Sequence, residues 1–143
     1  MNKTLGESAS ATSTPSPYRV RLQDDAGHEW WADEPVAQGG QDTAATPMHM
    51  VMAALAACTN ITLQMYAQRK GWALGQVHVD CRLNPDGKPA AGQANRVLRS
   101  IHLSGELSDE QRERLLQIAN ACPVHKLLTG GVDLQTSLAA TQP

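Results

Sequence analysis

Between Met48 and Cys58 the sequence MHMVMAALAAC carries one polar side chain, His49. Thr46-Pro47 before it is a helix start: a capping hydroxyl, then proline at the first helical position, where its missing N–H is no loss. The run that follows, MHMVMAALAACTNITLQMYAQRK, has no Gly or Pro before Gly71. Arg69 and Lys70 put cations at its end, where the helix dipole favours them. The sequence therefore predicts one long helix, or two in succession, with a first half that is apolar on every side and must be covered on every side. A chain of 143 residues has a single core of modest size and has trouble wrapping such a helix alone. Asn60, Thr62 and Gln64 follow too soon for a membrane span. The expected cover is a second copy of the chain, in a homodimer.

The remaining segments read as short strands, turns and further helices. Residues 2–17 are rich in Ser, Thr, Ala and Pro and hold one Leu, too little apolar surface to offset the entropy of ordering, so residues 1–17 are expected to form a disordered arm. Residues 18–143 are then a single domain. YRVRLQD from Tyr18 and HEWWAD from His28 alternate as strands around a turn at Asp25–Gly27. DEPVAQGGQDTAA has Pro, paired Gly and no period, and reads as a loop. VHVDCRL puts Val77, Val79, Cys81 and Leu83 on one strand face. After the turn-rich NPDGKPAAGQAN, RVLRSIHL resumes the alternation through Val97, Ile101 and Leu103, interrupted by Arg99. Ser108 followed by Asp109, Glu110 and Gln111 is a capping box, opening a helix to about Asn120 with Leu115, Ile118 and Ala119 inward. Cys122-Pro123 starts a short helix ending at Gly130-Gly131, and VDLQTSL is expected to close the chain as a strand. The fold class is α+β.

Several function classes drop out. A net charge of −2 with interleaved signs gives no field for nucleic acid. Nucleotide loops of the G-x-G-x-x-G and G-x-x-x-x-G-K types are absent, as is a G-x-S-x-G elbow. The first sixteen residues have one Lys and no apolar run fit for secretion, so the expected location is cytoplasmic, with no membrane partner. Three cysteines in a reducing compartment are too few for a disulfide scaffold and read as catalytic, redox-sensing or buried. Cys122, with Pro123 next, falls at the N-cap of a helix, where the dipole and unpaired N–H groups favour a thiolate, and His125 is three residues on. Cys58 lies mid-helix among alanines and by itself reads as a small buried hydrophobe, as does Cys81 on the apolar face of its strand. A metal site from Cys58, Cys122 and His125 lacks the paired C-x-x-C spacing of a zinc site, so neither metal nor other cofactor is expected.

Three segments, GGQDTAATPMHMVMAALAACTNITLQMYAQRKGW (39–72), SGELSDEQRERLLQIANACPVHKLL (104–128) and VDLQTSL, resemble the OsmC/Ohr family, especially its short OsmC-like branch. AACT in a long helix and ACPVHK after a capped helix carry the resemblance. It implies an intertwined homodimer in which two small sheets wrap around long central helices, and a stress-related antioxidant activity in which organic hydroperoxides are reduced by a dithiol–disulfide cycle. In that cycle Cys58 would be the peroxidatic thiolate and Cys122 the resolving thiol, with a small or protein-bound dithiol as reductant. Family members commonly place a Glu near the start of the long helix, which orients an Arg from the N-terminal sheet. His49 stands at the position of that Glu, and no Arg matches the motif, so Arg19 and Arg21 are the candidates for its charge and His49 and His125 for modulating the thiols. Met48, Met50 and Met52 suggest an apolar pocket that would favour a fatty or aromatic peroxide, and the alternative from another class is a non-catalytic or redox-sensing protein that binds an apolar ligand in the dimer cleft.

Overall fold

The structure is a computed structural model and describes residues 6–140. Along the chain run β1 (Ala9–Ser13), β2 (Val20–Asp24), β3 (Glu29–Ala32), α1 (Pro47–Lys70), β4 (Val77–Leu83), β5 (Val97–Leu103), α2 (Asp109–Ala119) and α3 (Pro123–Gly130), with one 3-10 turn at Val36–Gln38. This is the α+β class with two small antiparallel sheets. The chain falls into two compact units, the first ending at Met52 and the second beginning at Ala53.

In the first unit the strands pair in the order β1-β2-β3. Asp24 accepts from the N–H groups of Ala26 and His28, an Asx turn that fixes the hairpin between β2 and β3. β1 corrects the expectation for residues 1–17: Ala9 to Ser13 pair with Asp24 to Val20 along their full length. A ladder is made by backbone groups, so an exposed outer strand needs no apolar side chains, and ASATS has none beyond alanine. Residues 1–5 of the expected arm lie outside the described residues. The loop after β3 is organised by Asp33, whose buried carboxylate accepts from the Thr43 hydroxyl at 2.6 Å, the Thr43 N–H at 3.1 Å and the Glu34 N–H at 2.8 Å. Gly40 packs so closely there that a Cβ would stand 2.0 Å from the Glu34 carbonyl.

α1 is one continuous helix of 24 residues, long and apolar enough by length and composition to cross a membrane. Its start is capped as expected, the Thr46 hydroxyl accepting from the His49 N–H at 3.1 Å, and Gly71 ends it with φ 71°. In the second unit its C-terminal half joins the core: Leu63, Ala67, Leu74, Leu115 and Ala119 are buried together, with Val77, Ile101, Leu103 and Ile118 packed around them. A fully buried Leu such as Leu63 or Leu115 is worth about 2 kcal/mol over its exposed state. Asn60, mid-helix, donates to the Val77 carbonyl at 3.0 Å and ties α1 to β4.

β4 and β5 form a hairpin from Val77↔Leu103 to Leu83↔Val97, alternating half-buried and exposed along both strands. α2 opens with the capping box, Ser108 and Gln111 satisfying each other's N–H groups. Arg114, placed outside at i,i+4 from Glu110, bonds the Tyr66 hydroxyl and Gln117. The closing strand is the second correction. Residues 131–139 form no strand, and Val132, Leu134 and Leu138 are exposed, Leu138 at 99%. Alternation alone makes no strand, because the ladder needs a neighbour.

Candidate active site

All of the following groups belong to the second unit. Cys122 caps α3, in extended conformation at φ −67° and ψ 145°, because Pro123 bars it from the helix and fits the first helical position. Its sulfur accepts from the His125 N–H at 3.4 Å. Cys58, one residue before the buried Thr59 on α1, accepts from the Val124 N–H at 3.5 Å. Two successive N–H groups of one helix start thus serve two sulfurs, and both cysteines are free thiols. Cys122 is wholly buried at 0% exposure, whereas Cys58 is half-buried.

Thr59 and Arg99 complete the cluster. Mid-helix Thr59 returns its hydroxyl to the Leu55 carbonyl at 2.8 Å and stands 3.8 Å from the Cys122 sulfur. Arg99 reaches from β5 to the Thr59 hydroxyl at 3.0 Å, the Asn120 side-chain oxygen Oδ1 at 2.8 Å and His125 Nδ1 at 3.0 Å. Since guanidinium only donates, His125 Nδ1 is the acceptor. Burial pushes the Cys122 thiol up, but the His125 N–H, the Thr59 hydroxyl, the Cys58 thiol and the Arg99 charge together bring it below the ordinary thiol value. Cys81, opposite Arg99 in the β4–β5 ladder, is raised, chiefly by burial, with Arg99 opposing and Asp80 and Cys122 adding to it.

The site therefore joins Cys58, Cys122 and His125. The other three candidates are engaged in the first unit. Arg19 donates to the Thr43 hydroxyl at 2.6 Å with its guanidinium over the Trp31 ring, and Arg21 pairs with Glu29 at 3.1 Å near solvent. His49 Nδ1 meets the Thr46 hydroxyl at 3.0 Å in the helix cap. Among the described residues no group of three His, Cys, Asp or Glu side chains is disposed to hold a metal. Arg99, Thr59 and Asn120 went unread in the sequence. The available signal was Arg99's phase: it shares the half-buried face of β5 with Val97, Ile101 and Leu103, a place where a charge needs partners.

The model of the family described as OsmC-like protein matches residues 39–137, which include both sulfurs and all their partners. The chain belongs to that family. Among solved structures, the organic hydroperoxide resistance protein OsmC of Legionella pneumophila is similar at 20% identity over 92% of this chain and 95% of that one, with a TM-score of 0.64. An OsmC-like protein of Mycoplasma pneumoniae is similar at 19% identity, 91% and 90% coverage and a TM-score of 0.65. The organic hydroperoxide resistance protein OhrB of Bacillus subtilis is similar at 19%, 92% and 96%, with 0.60. At these identities the likeness establishes the OsmC fold. Among curated proteins none matches the sequence.

Proposed function

We propose that this OsmC-like protein is a stress-related redox protein that reduces organic hydroperoxides through Cys58 and Cys122. The observation that carries the reading is the pair of sulfurs at the start of α3, each with its own N–H donor from successive residues of that helix. Access decides the order of events, since Cys58 is the half-buried sulfur and Cys122 the enclosed one.

With Cys122 as the thiol, the Cys58 thiolate attacks the distal oxygen of the hydroperoxide. The O–O bond breaks, the alkoxide leaves as the alcohol after taking up a proton, and Cys58 becomes sulfenic acid. Cys122 then attacks the Cys58 sulfur, water departs with the hydroxyl, and a disulfide remains. A dithiol reductant restores both thiols by exchange. Cys81, whose thiol is raised by burial, stays outside the cycle.

Titration with an organic hydroperoxide and mass detection of the products tests this. Cys58→Ser should consume none, and Cys122→Ser about one equivalent, stopping at sulfenic or sulfinic acid. Reversed phenotypes would move the attack to Cys122. Peptide mapping of the oxidised protein should join Cys58 to Cys122, and a bridge to Cys81 would remove the assignment. A wild type that takes up an apolar ligand and consumes no hydroperoxide would be a binding protein on this fold.

A further inference from the structure

We propose that Arg99 is the positioning cation of the thiol pair, acting on Cys122 through the Thr59 hydroxyl and on the first turn of α3 through the His125 ring. Three independent elements converge on its guanidinium: Thr59 from α1, Asn120 at the end of α2 and His125 from α3. A charge on the inward face of a strand is retained only where it is fully partnered, and here each partner adjoins a sulfur or fixes the turn that holds one.

The hydroxyl of Thr59 explains how the charge is passed on. It has one proton and two lone pairs, and Arg99 occupies a lone pair. The proton goes to the Leu55 carbonyl at 2.8 Å, and the Cys122 sulfur stands 3.8 Å away, where either the hydroxyl or the thiol can donate. A hydroxyl that accepts from a cation is polarised into a better donor, so it turns toward sulfur when Cys122 becomes a thiolate. The second arm works on geometry. With Nδ1 held by Arg99, the His125 ring is tied to β5, and its backbone N–H stays aimed at the Cys122 sulfur while the Val124 N–H stays on Cys58. Titratable and charged groups facing this centre are Cys58 from α1, Cys81 with Asp80 beside it from β4, Arg99 from β5 and His125 from α3.

The consequence for turnover rests on the peroxidase reading, but the test does not. The thiolate absorbance of Cys122 is followed against pH in a Cys58→Ser, Cys81→Ser background with Arg99 kept, changed to Gln or changed to Lys. Arg99→Gln should move the midpoint up by about one pH unit, roughly a tenfold loss of thiolate below it, and Arg99→Lys should recover part of that shift by restoring charge. Should Arg99→Gln fail to fold, Thr59→Val against Thr59→Ser reads the same relay, and only the valine variant should shift the midpoint upward. An unchanged midpoint in folded Arg99→Gln, or equal shifts for Gln and Lys, would overturn the assignment. A wild type that shows the shift with Arg99→Gln yet consumes no hydroperoxide leaves Arg99 standing and removes the peroxidase. A peroxidase in which Arg99→Gln leaves the Cys122 midpoint unshifted does the reverse.

Discussion

Asp33 is almost wholly buried, and the hydroxyl and N–H of Thr43, with the Glu34 N–H behind them, hold its carboxyl down from 3.8 to about 2. A folded-state value below the unfolded one stabilises the fold above the unfolded value and loses that contribution as pH falls through the folded value. Asp33 thus contributes in full above about pH 4 and progressively less toward pH 2. Asp33→Asn should lower the urea midpoint at pH 7, with the gap to the wild type closing toward pH 2.5. Equal midpoints at pH 7 would show that the loop needs no carboxylate. Arg99 carries the lesson at this scale. Composition and phase mark where a charge is out of place, as Arg99 is among Val97, Ile101 and Leu103, but its partners lie 21 to 40 residues away in sequence and no local rule names them.

Elements whose signals are local form where the sequence puts them. Thr46, Ser108 and Cys122 each bond an N–H three residues ahead, so their caps are complete within one turn. Ser108→Ala removes one half of the capping box and should cost about 1 kcal/mol in denaturant unfolding, with Ser108→Thr close to the wild type. A larger cost would mean that the segment ahead of α2, where the Gly105 N–H bonds the Leu74 carbonyl at 2.7 Å, loosens with it. The two β errors have the opposite cause. ASATS is polar yet forms β1, since β2 offers it an edge, and VDLQTSL alternates yet forms no strand, since among the described residues nothing pairs with it. Strand formation depends on a neighbour, which periodicity does not report.

At the scale of the molecule, the all-round apolar helix remains half uncovered in the single chain. Met48, Val51, Ile61 and Met65 are exposed on α1, and so are Val132, Leu134 and Leu138 in the closing segment. Apolar surface of this extent marks an association face. We therefore expect a homodimer that buries this helix, sedimenting as a dimer over the whole accessible concentration range in analytical ultracentrifugation. A monomer at every concentration would rule it out. The sequence alone determined the α+β class, the helix starts and the family, because periodicity, caps and the AACT and ACPVHK motifs are short-range patterns. Only the tertiary structure decided what surrounds the sulfurs. Thr59 from α1, Arg99 from β5 and His125 from α3 meet there because the core packs those elements together, and the electrostatics of a thiol depend on distance in space.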